Sequence, residues 1–311
     1  MRKLIITGIT GFVGQNLNNY LKEGFEVIGV SRMLNKENNF ISYQEINNRY
    51  LNEFDAFIHL AGKAHDLKNV SNKNEYYEVN TELTKKIFDS FLISNSSVFI
   101  MLSSVKAVAD SAQKILSENV TPNPKTHYGK SKLLAEKYIL SKKIPKNKKV
   151  YILRPCMIHG PNNKGNLNLL YNFVSKKIPW PLGSFENKRS FCSIDNLIFI
   201  ISELIQREDI PSGIYNVADD DPLSTNELVK LIAKSKNIKL RIINIPKTFI
   251  ILLTKIGDFF HLPINSERLQ KLTQSFVVNN NKIKNILGKE LPYSSKQGLL
   301  RTLKSFNEKP L

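Results

Sequence analysis

The chain opens on "KLIITG", a short unbroken apolar run, followed by glycines and then by "VGQNLNNYLKEG" with apolar positions at helical spacing. The alternation repeats: "FEVIGVSR" and "FDAFIHLAG" are apolar runs, and "VNTELTKKIFDSFLIS" is helical. "VFIMLSS" is a further run, "YGKSKLLAEKYILSKK" a helix and "VYILRP" a run again. Strands apolar on both faces, each separated from the next by a helix, predict a parallel sheet covered on both sides, the α/β doubly wound class. There are no internal repeats, and "KKIPKNKKV" reads as a charged turn. After Pro155 the pattern loosens into a Gly/Pro/Asn loop, the helical "LNLLYNFVSKK", the loop "IPWPLGS" and the strand-helix stretch "FCSIDNLIFIISELIQ". The strand "GIYNVAD" follows, then a helix with the Ser-x-x-Glu capping signal at Ser224 and Glu227, then a mixed tail. The expected division is a large N-terminal domain, 1–157 with a return segment at about 189–217, and a smaller C-terminal α/β lobe of 158–188 and 218–311.

Composition adjusts this picture. The chain has 311 residues and a net charge of +18, from 45 Lys+Arg against 27 Asp+Glu, which favours anionic partners. Much of that charge reads as solvated surface, because the chain is rich in Lys, Asn and Ile. No aromatic-basic recognition module is present, so nucleic acid is not expected as a partner. Two cysteines, Cys156 and Cys192, leave no room for a disulfide framework and fit a reducing compartment. The five histidines lack metal-ligand spacing, so no metal is expected. The N-terminal apolar run is short and broken by glycine, unlike an export signal. "TFIILLT" is too short to span a bilayer, and a soluble cytoplasmic protein is expected. The longer stretch "TFIILLTKIGDFF" is expected to be an amphipathic helix on the C-terminal lobe rather than a membrane dock.

The chemistry starts at "TGITGFVG", where Gly8, Gly11 and Gly14 stand three apart between a strand and a helix. Bare backbone there lets amides approach a pyrophosphate while the helix N-terminus contributes positive charge. With Phe12 and Val13 these glycines are candidate cofactor contacts in a Rossmann-like first βα turn. The spacing departs from G-x-G-x-x-G, since residue 9 is Ile. The second run ends on Ser31 and Arg32. An acid at this place binds a ribose hydroxyl and an Arg accepts a 2′-phosphate, so NADP(H) is favoured and NAD(H) stays possible.

"VFIMLSS" ends at Ser103 and Ser104, where ligands of open α/β sheets lie. Tyr128 and Lys132, four apart, share a helix face. A nearby ammonium is expected to lower the phenol pKa, so that Tyr128 can trade a proton with a sugar or alcohol oxygen that Ser104 also binds. This Ser…Tyr-x-x-x-Lys set with the glycine loop resembles the short-chain dehydrogenase/reductase superfamily, and its length resembles the extended branch that acts on nucleotide sugars. The resemblance implies cofactor contacts at Leu60, Ala61 and Gly62 in "HLAG", at Asn80 in "VNTELT", at Ser103, and at Pro155 in "LRPCMIHGP". It implies that Tyr128 and Lys132 also touch the cofactor, and that Arg189 in "NKRSFCSIDNL" binds a substrate diphosphate. Lys106 and Arg268 are further substrate-binding candidates. His159 stands where the family often has Tyr, and "AVA" where it has "VYG"; His59 and His159 read as structural, and Trp180 as packing or a substrate wall.

The later motifs resemble bacterial UDP-4-keto-6-deoxy-N-acetylhexosamine 4-reductases of O-antigen or capsule synthesis. The implied activity is NAD(P)H-dependent reduction of a C4 keto group on a UDP-sugar. A UDP-sugar 4-epimerase with tightly held NAD is the alternative, and a non-catalytic cofactor-sensing regulator is the alternative of another class. The family also implies a homodimer through two helices, one carrying Tyr128.

Overall fold

The computed structural model describes the chain except residues 33–39, 47–51, 65–71, 112–113, 164, 261–264 and 308–311. Seven strands form one sheet: β1 (Lys3–Thr7), β2 (Glu26–Val30), β3 (Phe40–Ile41), β4 (Ala56–His59), β5 (Val98–Leu102), β6 (Lys149–Pro155) and β9 (Gly213–Val217). All neighbours are parallel, in the order β3-β2-β1-β4-β5-β6-β9. The order in which strands are added reverses between β1 and β4, which puts a crevice at their carboxyl ends.

The strands alternate between two cores, as their period of two requires. Leu4, Ile6, Ile58, Ile100 and Leu153 pack with Leu17 and Leu21 of α1 (Phe12–Leu21) and with the helix Ile194–Gln206. Ile5, Phe57, Phe99, Met101 and Ile152 face the opposite way. They pack against Ile87, Phe88 and Phe91, and against Ala135 and Ile139. These belong to α3 (Leu83–Ile93) and α4 (His127–Leu140); α2 (Lys73–Tyr77) enters α3 through a π-helical turn, Glu78–Glu82. The expected doubly wound sheet is therefore present.

Beyond β6, β7 (Met157–His159) pairs in parallel with β8 (Phe191–Ser193). Between them lies α5 (Asn166–Ser175); after them come α6 (Ile194–Gln206) and, past β9, α7 (Thr225–Ser235). The tail adds α8 (Lys247–Phe259), α9 (Ser266–Thr273), α10 (Asn281–Leu287) and α11 (Ser295–Ser305). A third core joins Leu167, Tyr171, Leu228, Ile232, Leu299 and Leu303 of this smaller lobe. Trp180 is buried in it, donating Nε1–H to Asn226 Oδ1 at 2.8 Å, so its role is packing.

The stretch read as an amphipathic helix is α8, seated on that lobe by Ile250, Thr254 and Gly257. The apolar residues it was expected to bury are largely on the outside: Phe249, Leu252, Ile256 and Phe259 are exposed. A stripe spaced four and three residues apart suffices to seat a helix, and the remaining apolar positions of so greasy a segment are left over.

Candidate active site

The glycine loop is tight because its residues are glycines. Gly8 has φ +71°, and a Cβ there would lie 2.6 Å from the Ala61 amide. A Cβ on Gly14 would lie 2.3 Å from the Gly8 carbonyl, which already accepts the Gly11 amide at 3.0 Å. Gly11 caps α1, and Phe12 and Val13 open the helix. Tyr43, not singled out in the sequence, stands over this loop, near the Gly8 backbone and within reach of the Arg32 charge. Burial raises the Tyr43 pKa, and those two neighbours pull it back. Ser31 is buried, with its amide on the Ile41 carbonyl at 3.0 Å, while Arg32 is exposed at the end of β2.

The loop after β4 is fixed from below. Thr84 gives its one hydroxyl proton to the Asn80 carbonyl (2.7 Å), so it accepts from His59 Nε2 (2.9 Å). His59 Nδ1 therefore accepts from Thr7 (2.7 Å), whose oxygen receives the Ala61 amide (3.3 Å). Burial, helped by the Lys132 charge, pushes the His59 pKa down to about 3, so the ring is a neutral structural link. The Leu60 amide reaches the Thr7 carbonyl at 3.2 Å. Gly62 follows, and a Cβ on it would stand 2.8 Å from Lys132 Nζ. Asn80, expected as a cofactor contact, holds this loop in place. Its Oδ1 accepts the Lys63 amide (2.8 Å), and its Nδ2 donates to the Lys63 carbonyl (3.1 Å) and Ser131 Oγ (3.0 Å). The wide turn Glu78–Glu82 carries it into place, and such turns are frequent at functional sites.

Ser104 caps the short 3₁₀ turn Val105–Ala107. The first turn of α4 presses on that turn because residue 129 is glycine: a Cβ would lie 2.3 Å from the Lys106 carbonyl. This contact brings Tyr128 beside Ser104, whose side chain acts on the phenol. Tyr76 of α2 adds an edge-on ring 6.4 Å from Tyr128. The expected acidification of the phenol is not found. Burial raises the Tyr128 pKa; Ser104 lowers it, and Tyr76 raises it further. The Lys132 ammonium is held elsewhere, donating to the Leu102 carbonyl at 2.9 Å. Burial lowers the Lys132 pKa to about 8, with Glu136 acting to raise it.

Glu136 lies one helical turn beyond Lys132 and is itself buried. Arg154 of β6 binds it with two nitrogens, at 3.0 and 2.5 Å, and Ser103 donates to it at 2.5 Å. Ser103, expected as a cofactor contact, is part of a buried ionic network. Its hydroxyl proton goes to the most charged acceptor in reach. Pro155, next after Arg154, is buried at the end of β6. Glu136 and Arg154 escaped the sequence reading because a charged residue inside an apolar strand announces a buried partner without naming it. The available signal was the Arg in "LRP" after so apolar a run.

A cationic corner adjoins these groups. Lys106 is partly buried, donates to the Asp110 carbonyl at 2.6 Å and lies 4.9 Å from the Phe276 ring centre. Burial lowers its pKa; Asp110 acts to raise it and Arg189 to lower it. Arg189 pairs its backbone with Leu223 and Phe276 and donates from its guanidinium to the Lys271 carbonyl. Two desolvated cations near each other form a receptor for an anion. Arg268, three residues before Lys271 on α9, is exposed. His159 is buried, its Nδ1 on Thr302 Oγ1 at 2.9 Å, and is structural. Among the described residues, no cluster of His, Cys, Asp and Glu could hold a metal.

The bare-backbone turn against α1, the glycine beside Lys132 and the Ser104–Tyr128 pair at the carboxyl edge fit a dinucleotide. The family model for the "NAD dependent epimerase/dehydratase family" matches residues 4–218. The chain belongs to that family. It is similar, at 29% identity, to a UDP-glucose 4-epimerase of Vibrio cholerae over 98% of this chain and 95% of the relative. An N-acetyl-alpha-D-glucosaminyl-diphospho-ditrans,octacis-undecaprenol 4-epimerase of Escherichia coli O157:H7 is 27% identical over 96% and 94%. A solved UDP-N-acetylglucosamine 4-epimerase from Bacillus cereus shares the fold, with TM-score 0.77 at 21% identity over 97% of this chain and 98% of that one. Solved chains of this fold carry NAD in some cases and NADPH in others. The protein is an enzyme of the epimerase/dehydratase type with a short-chain dehydrogenase/reductase fold.

Proposed function

We propose that this chain performs oxidoreduction at C4 of a sugar carried on a diphosphate. The observation that carries this reading is the placing of Tyr128 beside Ser104 at the carboxyl end of β5, with the buried Lys132 ammonium beside Gly62. A nicotinamide cofactor would be held by Gly8, Gly11, Phe12, Val13 and Gly14 at its pyrophosphate, by Ser31 and Arg32 at its adenosine ribose, and by Tyr128 and Lys132 at its other end. Bound there, it would supply and accept the hydride. Tyr128 moves the proton at the C4 oxygen, and Ser104 hydrogen-bonds the same oxygen. Burial keeps the phenol protonated at neutral pH, which suits proton donation to a keto oxygen. Lys106 and Arg189 neutralise the diphosphate, with Arg268 in reserve on α9.

Epimerisation at C4 is the first form of this reaction, because both full-length relatives above are 4-epimerases. The carrier on the far side of the diphosphate is a nucleoside in one and a polyprenol in the other. A one-way reduction of a UDP-4-keto-6-deoxy-N-acetylhexosamine is the second form, supported by Arg32 at the place that selects NADPH. The purified chain is tested with UDP-N-acetylglucosamine and no added cofactor, and separately with the 4-keto sugar and NADPH. Interconversion of the C4 epimers with retained NAD supports the first form; NADPH oxidation without epimer formation supports the second. Neither product from a chain that binds the cofactor refutes C4 chemistry.

A further inference from the structure

Helix α8 presents two stripes. Ile250, Thr254 and Gly257 are buried against the lobe. Roughly opposite, at helical spacings of three and four, Phe249, Leu252, Ile256 and Phe259 are 53%, 57%, 45% and 78% exposed, and Phe260 beyond the helix is 63% exposed. Scattered apolar residues on a surface are ordinary, but a contiguous aromatic and aliphatic face on one helix marks an interaction surface. No helix among the described residues is long and apolar enough to cross a membrane.

The surroundings choose the partner. From 236 to 273 the chain carries seven lysines and arginines against two acids, on a molecule of net charge +18. Lys239, Arg241, Lys247 and Lys255 are all exposed. A two-fold pairing of this face with a second copy would set one basic flank against another, since such an interface is made of the same patch twice. An anionic bilayer instead supplies both a negative surface for the flank and an acyl boundary for the rings.

We infer that α8 is a docking face for an anionic lipid surface, lying flat with Phe249, Leu252, Ile256, Phe259 and Phe260 at the headgroup–acyl boundary. The inference goes beyond the C4 reading and does not depend on it. Docking there has a geometric consequence. α9 is tied to α8 by the Ser266 amide on Asp258 at 2.9 Å, and its Lys271 carbonyl holds Arg189. The cationic corner at Arg189 and Lys106 is therefore one helix removed from the lipid.

The test is co-sedimentation of the full chain with phosphatidylcholine vesicles, with and without phosphatidylglycerol, for the native protein and the triple variant Leu252→Gln, Ile256→Gln, Phe259→Ser. These positions are exposed, and an unchanged melting temperature verifies that the variant folds. The native chain is expected to sediment with the anionic vesicles and much less with neutral ones, and the variant to lose ~tenfold or more of its partitioning. Equal sedimentation of native and variant would mean that net charge alone binds lipid, which overturns the inference. Absence of native sedimentation overturns it too. A native dimer that the variant dissolves, with no vesicle binding, would assign the face to a second copy.

Discussion

Lys132 gives up most of its hydration beneath the loop at Gly62, and its neighbour Glu136 decides how much charge it keeps. With its pKa lowered from 10.5 to about 8, the folded chain binds fewer protons than the unfolded chain between those values. Stability from this group therefore rises with pH across that window, while the ammonium itself is lost above about pH 8. A pH–rate profile is expected to fall on its alkaline side as Lys132 deprotonates. Glu136→Gln removes the charge that favours the ammonium, so the falling limb is expected to move to lower pH. The same change strands Arg154, whose Nη1 already lacks a hydrogen-bond partner, at a cost of about 3–5 kcal/mol in urea unfolding. Replacing Tyr128 by Phe is expected to lower kcat by about 10²–10⁴-fold with little change in cofactor affinity, measured by steady-state kinetics and cofactor titration.

At the scale of elements, two fixtures hold the site, one beneath it and one within it. Lys148, just before β6, is buried and donates to the carbonyls of Phe91, Ser94 and Ser96 at 3.0, 2.7 and 2.6 Å. It caps the end of α3, where carbonyls otherwise lack partners. Burial lowers its pKa. Lys148→Met is expected to cost about 1–3 kcal/mol by leaving buried carbonyls unpaired, read from denaturant midpoints. The first βα turn is the second fixture. Gly14→Ala forces a methyl to within 2.3 Å of the Gly8 carbonyl and 2.6 Å of Ile9 Cα, so the loop must open. Cofactor affinity is expected to fall by tenfold or more, about 1.4 kcal/mol, in a fluorescence titration. The first fixture has no sequence signature of its own. "KKIPKNKKV" looks like a charged turn, and only the packing of α3 on β5 and β6 shows that one of its lysines is internal.

At the scale of the molecule, cofactor binding to the folded chain adds stability by mass action, about 2.7 kcal/mol at a hundredfold excess over Kd. If Arg32 selects a 2′-phosphate, NADPH is expected to raise the melting temperature more than equal NADH, and Arg32→Ala to close the gap. The sequence determined the sheet and its helices, because strands buried on both faces need unbroken apolar runs and helices need a period near four. It also determined the glycine turn, since only residues without Cβ fit there, and it marked Ser104, Tyr128 and Lys132. Tertiary structure alone decided what those groups became. Burial, not the nearby ammonium, governs the Tyr128 phenol; Ser103 belongs to a carboxylate 33 residues away, and Asn80 to a loop. It also decided which apolar residues of α8 are inside, because spacing defines the stripes of a helix while only the body it packs against chooses between them.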